Sequence, residues 1–93
     1  MQNIIPDGVY EEDSGFMHMI VDNSKGTISS VLMGEVAAIY RYSISNGVVT
    51  MVSIKDGVNL YNNITIYSNP VKSKSGFELQ PDNATFRYIS PLV

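Results

Sequence analysis

Ser43-Ile44-Ser45-Asn46-Gly47-Val48-Val49-Thr50-Met51 is the stretch on which the fold turns. Asn and Gly both tolerate positive φ, which the two central residues of a type I′ turn require. β-branched residues crowd the turn on its C-terminal side, and rings lie on its N-terminal side at Tyr40 and Tyr42. The reading is a hairpin with Asn46-Gly47 at its tip.

The same punctuation recurs along the chain. Pro6-Asp7-Gly8, Asp22-Asn23-Ser24-Lys25-Gly26, Asp56-Gly57 and Pro81-Asp82-Asn83 all carry turn chemistry. Between them the expected strands are Val9 to Glu12, Phe16 to Asp22, Thr27 to Met33, Val36 to Ile44, Val48 to Lys55, Leu60 to Tyr67, Phe77 to Gln80 and Ala84 to Ser90. Glu11 to Gly15 reads as a polar turn, Gly34-Glu35 as a tight connection or bulge, and Ser68 to Ser75 as a loop around Pro70. Glu35 to Tyr40 also has some helical character, but its β-branched and aromatic content favours strand. About eight short strands in sequence, each followed by a tight turn, make an antiparallel meander. Closure removes exposed edges, so the expected fold is all-β, a small up-and-down β-barrel; a two-sheet β-sandwich is the alternative. Ninety-three residues make one domain, residues 1–93, with no linker.

Ser14-Gly15-Phe16 with Asp22-Asn23 is echoed by Ser75-Gly76-Phe77 with Asp82-Asn83. The strands between do not match, so the echo reads as reuse of turn residues. Gly8-Val9-Tyr10 resembles the Gly-x-aromatic opening of lipocalin-type barrels; the likeness covers three residues, and no family is assigned from it.

Composition narrows the function classes. The chain has no cysteine, which removes disulfides, thiolate zinc sites and cysteine nucleophiles and favours a reducing compartment. The N-terminal segment lacks the basic and apolar regions of a signal peptide, and no apolar run approaches the roughly 20 residues of a membrane helix. A cytoplasmic protein without membrane association is expected. The net charge is −3, and of six basic residues only Lys72 and Lys74 are neighbours. That disfavours nucleic acid, which needs clustered Lys and Arg. The hydrophobic fraction is 44% against 16% charged, so some apolar surface is expected to remain exposed and to favour a homodimer or another protein partner.

Catalytic constellations are sparse. His18 is the only histidine; it stands mid-strand and has no carboxylate at neighbouring positions on its own face before the strand ends. It is expected to be partly exposed or bonded to backbone. Glu11-Glu12-Asp13 has neither the spacing of a calcium loop nor carboxylates that share a face. No Gly-x-Ser-x-Gly, phosphate-loop or dinucleotide motif occurs, so neither a cofactor nor a metal is expected. Asn63-Ile64-Thr65 and Asn83-Ala84-Thr85 fit the glycosylation sequon, a short motif in a chain rich in Asn and Thr.

The most specific pattern is aromatic. Tyr40-Arg41-Tyr42 and Phe86-Arg87-Tyr88 each place two rings on one strand face and an Arg on the other. Tyr61 and Tyr67 add rings on a strand between them. Tyr and Arg are frequent at binding hot spots. These eight residues are therefore the candidate binding set of a non-enzymatic module, an accessory or inhibitor protein that holds another protein through an aromatic/Arg surface or a sheet edge. If the rings point inward, the alternative is a barrel holding an apolar small molecule among Tyr and Met side chains. A hydrolase using His18 with a nearby carboxylate is the third reading.

Overall fold

A computed structural model describes residues 4–69, 74–80 and 83–92. Eight strands and no helix are present among them: β1 (Gly8–Glu12), β2 (Met17–Asp22), β3 (Thr27–Leu32), β4 (Glu35–Ser45), β5 (Val48–Ser53), β6 (Asn59–Asn69), β7 (Lys74–Gln80) and β8 (Ala84–Ser90). Each pairs antiparallel with the next, and β8 pairs with β1, so the sheet is a closed barrel in sequence order. The expected meander is the observed one, and the helical option at Glu35–Tyr40 is not taken.

The strands end where turn chemistry stops them. Asn46 has φ 52° and Gly47 φ 75°, the positive pair of a type I′ turn. Glu11 and Glu12 read both as the end of the first strand and as the start of a polar turn; the strand reading holds, and both belong to β1, where Glu11 pairs with both His18 and Arg87. The segment expected as the loop Ser68 to Ser75 is partly strand: β6 runs to Asn69 and β7 begins at Lys74, while residues 70–73 lie outside the described residues. The turn expected at Pro81-Asp82-Asn83 is described only at Asn83, whose φ is 53°.

Two strands of 11 residues shape the barrel. β4 pairs with β3 from Glu35 to Arg41 and with β5 from Tyr40 to Ser45, so the two ladders share only Tyr40 and Arg41. β6 pairs with β5 from Asn59 to Asn63 and with β7 from Asn63 onward, sharing only Asn63. Each long strand passes from one set of partners to the other, as corner strands do where sheets meet at an angle. A register shift between Ser30 and Val31 leaves Ala37 as an extra residue on β4, a bulge that bends the strand.

The core follows strand alternation. Tyr10, Met19, Val21, Ile28, Val49, Met51, Phe77, Leu79 and Phe86 point inward and are buried. Phe77 and Phe86 stack at 4.8 Å, with Tyr10 edge-on to Phe77 at 5.0 Å and to Tyr88 at 5.7 Å. Ile5, ahead of β1, completes the core from one end and is 1% exposed. Its backbone is held there: Tyr42 Oη accepts from Ile5 N–H at 3.1 Å, and Asn23 Nδ2 donates to Ile5 C=O at 2.7 Å. The N-terminal segment thus closes the end that carries the 23–26 and 46–47 turns. The opposite end carries the turns at 13–16, 33–34 and 54–58.

Candidate functional site

Barrel geometry separates the eight candidate residues. Tyr40, Tyr42, Phe86 and Tyr88 face inward and pack in or against the core. Tyr42 also bonds Asn23 through its hydroxyl. Tyr61 and Tyr67 fall at the alternate positions of β6, while Ile64 and Ile66 are the ones packed against the core. Tyr61 is 62% exposed, with Asn59 Nδ2 donating to its hydroxyl at 3.1 Å. Tyr67 lies across Gly76 on β7 and donates to the Phe86 carbonyl at 3.0 Å. Arg41 is exposed on the outer face of β4, and Arg87 stands on the outer face of β8, on the far side of the barrel. The rings and arginines therefore do not form one patch. The sheet-edge option also narrows, since every strand of a closed barrel has two neighbours.

Arg87 belongs to a different cluster. Its Nη2 donates to Glu11 Oε1 at 2.8 Å, and the other oxygen of Glu11 lies 3.3 Å from His18 Nε2. One carboxylate thus joins β8, β1 and β2 on the outer face. The carboxylate that His18 lacks on its own strand is supplied by the neighbouring strand, a pairing that β1–β2 register decides. Along the same register row the next side chains are Val31 and Val36, so the row holds a stitched ion cluster and no nucleophile. Among the described residues, no group of three His, Cys, Asp or Glu could hold a metal ion.

Burial also raises the pKa of two inward phenols. Tyr10 is pushed up to about 12, by desolvation first and then by the charges of Tyr88, Tyr42 and Asp7. Tyr42 is raised by desolvation first and also by the charge of Asp7, with its hydrogen bonds to the Ile5 backbone and the Asn23 side chain opposing. Tyr10 Oη donates to Pro6 C=O at 2.6 Å, and this helps hold the N-terminal segment over the barrel end.

Two concavities bear on the candidate readings. One, about 520 Å³, opens beside the N-terminal segment at the end that Ile5 packs into, and is lined by Pro6, Tyr10, Ile44, Ile64 and Ile66 among others. Among the described residues, no methionine lines it. The smaller, about 270 Å³, lies at the opposite end between β4 and the 54–58 turn.

The exposed apolar residues concentrate at that opposite end. Phe16 precedes β2; Leu32, Met33 and Val36 surround the 33–34 turn; Ile54 and Val58 flank the next turn. Ile39 and Leu60 join these groups. Backbone bonds join them in two groups at this end: Met33 N–H donates to Phe16 C=O at 3.0 Å, while Ile54 N–H donates to Ile39 C=O and Ser53 N–H to Val58 C=O, each at 3.0 Å. These eight are most of the exposed large hydrophobics among the described residues; the others are Ile4, Tyr61 and Ile89. Most of these residues sit at strand ends and turns, where alternation gives no inward or outward assignment; only their gathering at one end needs the closed barrel to be seen.

Comparison with protein-family models, curated proteins and solved structures finds no match for this chain.

Proposed function

We propose that the protein is a non-enzymatic binding module whose docking surface is the apolar rim at the barrel end bearing Phe16, Met33 and Val58. The observation that carries this is the gathering of eight exposed large apolar side chains at one end of the barrel. Exposed large apolar side chains gathered at one end of a small domain are a mark of a docking surface. An accessory or inhibitor role in a reducing, cytoplasmic setting fits a small acidic chain without cysteine. The candidate surface thereby moves from the ring-and-Arg strands to the turns.

The test compares Val36→Asp with Arg41→Glu, both exposed outer-face changes on β4, for capture of partners from native extract and for melting temperature. Loss of a specific partner with Val36→Asp, and its retention with Arg41→Glu, is the expected result. A partner lost with Arg41→Glu alone would return the site to the arginine face.

A second reading is favoured by the 520 Å³ concavity, whose Ile44, Ile64 and Ile66 suit an apolar small molecule. Native mass spectrometry of protein purified without detergent separates the two, since a bound small molecule adds a discrete mass. The hydrolase reading has the His18–Glu11 contact in its favour, but Arg87 holds the other oxygen of that carboxylate.

A further inference from the structure

Among the described residues, three non-glycine residues have left-handed backbone conformations: Met33 at φ 52°, Asn46 at φ 52° and Asn83 at φ 53°. Asn is ordinary there, because its short amide side chain tolerates that region. Met33 is the outlier. It occupies the same place before Gly34 that Asn46 occupies before Gly47, and both pairs join adjacent strands. Met33 is also 77% exposed, the highest value among the exposed large hydrophobics. The hairpin thus carries backbone strain and apolar exposure at one residue, where Asn would relieve both. Strain held at an exposed site points to function, and a flexible thioether at a loop tip suits an adaptable contact.

The concavity that such a knob fits lies on the same rim. The 270 Å³ cleft is lined by Ala37, Ala38, Val58 and Leu60, with Lys55 and Asp56 as its charges. Asp56 is turned to its own loop, accepting from Val58 N–H at 3.1 Å. Lys55 is exposed. Glu35, two residues beyond Met33, is exposed too and opposite in charge to the Lys55 that lines the cleft. Knob, hole and a matching charge pair all stand on one surface, which is what a two-fold contact requires: residue i meets j, and j meets i.

We propose that the occupant of the rim is a second copy of this chain, with Met33 of each copy seated in the Ala37–Leu60 cleft of the other and Glu35 paired with Lys55 across the interface. The proposal rests on the reading of this rim as a protein-docking surface. The exposed apolar side chains beside knob and cleft, Leu32, Val36, Ile54 and Val58 among them, supply the apolar contact around the seat.

Sedimentation equilibrium on the full chain tests it. The wild type is expected to dimerise at micromolar concentration. Met33→Asn should weaken the dimer roughly 30-fold, as loss of a central anchor does, and at the same time raise the melting temperature measured at concentrations where both proteins are monomeric. A merely structural Met33 would not separate those two readouts. Glu35→Lys and Lys55→Glu should each weaken association, and the double exchange should restore it. A wild type that stays monomeric at several hundred micromolar overturns the proposal, as does a Met33→Asn dimer of unchanged affinity. If the monomeric wild type instead captures a different protein and loses it on Met33→Asn, the second copy is refuted while the docking surface stands.

Discussion

Glu11 performs two tasks with one carboxylate, accepting from Arg87 and facing His18 across adjacent strands. The pairs are half exposed, so each is worth little by itself, about 0–1 kcal/mol. Glu11→Gln keeps the shape and is expected to cost less than about 1 kcal/mol in urea denaturation. Glu11→Lys sets Lys, His18 and Arg87 side by side on neighbouring strands and should cost roughly 1–2 kcal/mol. A Glu11→Lys protein as stable as wild type would show that the cluster contributes nothing to the barrel. Residue types in this cluster were visible in the sequence, but their meeting was not. Glu11 and Arg87 are at opposite ends of the chain, and only closure of β8 onto β1 brings them together.

At the scale of elements, local chemistry wrote most of the fold. Asn46-Gly47 and the β-branched runs place β4 and β5 almost to the residue, because turn type and side-chain period are short-range properties. The corner behaviour of β4 and β6 was not legible, since alternation says which face a residue takes and nothing about when the strand changes partner. The aromatic set was read correctly for face in Tyr40-Arg41-Tyr42 and Phe86-Arg87-Tyr88, whose arginines are outward and whose other residues are inward. Which face is solvent for an eight-strand closure was the missing fact. Gly76 shows how tightly the β6–β8 region is built. A Cβ there would fall on the Phe86 carbonyl oxygen and within 2.5 Å of the Tyr67 hydroxyl. Tyr67 covers the bare backbone, as an aromatic opposite a strand glycine does. Gly76→Ala must therefore separate backbone from backbone and is expected to cost about 3 kcal/mol. Gly57→Ala meets open space and should lose only the roughly 1 kcal/mol of a left-handed turn position. Equal losses in the two variants, measured by urea titration, would show that the strands around Gly76 give way to a Cβ and that the close approach there constrains nothing.

For the whole molecule, the two raised phenols make closure of the barrel dependent on pH. Tyr10 and Tyr42 tie the N-terminal segment across one end, Tyr10 by donating to Pro6 C=O and Tyr42 through Ile5 and Asn23. In the unfolded chain a tyrosine releases its proton near pH 10. In the fold Tyr10 holds it to about 12, because the buried ring resists charge. Between those values the native state binds the extra proton, so the stabilisation is complete below about pH 10 and is lost as pH rises toward 12. The slope is about 1.4 kcal/mol per pH unit for each such phenol. Between pH 10 and about 12 this comes to about 3 kcal/mol for Tyr10, a large share of the roughly 5–15 kcal/mol that a domain holds, and it brings the fold toward its unfolding transition. Phenolate absorbance and β-type circular dichroism, followed together, should therefore show a late group of tyrosines ionising in the same cooperative step that removes the sheet. Tyr10→Phe removes the hydrogen bond to Pro6 and should cost about 1 kcal/mol at neutral pH. It should also flatten the alkaline decline by close to one proton. All six tyrosines titrating smoothly near pH 10 with the sheet intact would contradict the buried arrangement of Tyr10 and with it the closure of the barrel end by residues 4–7.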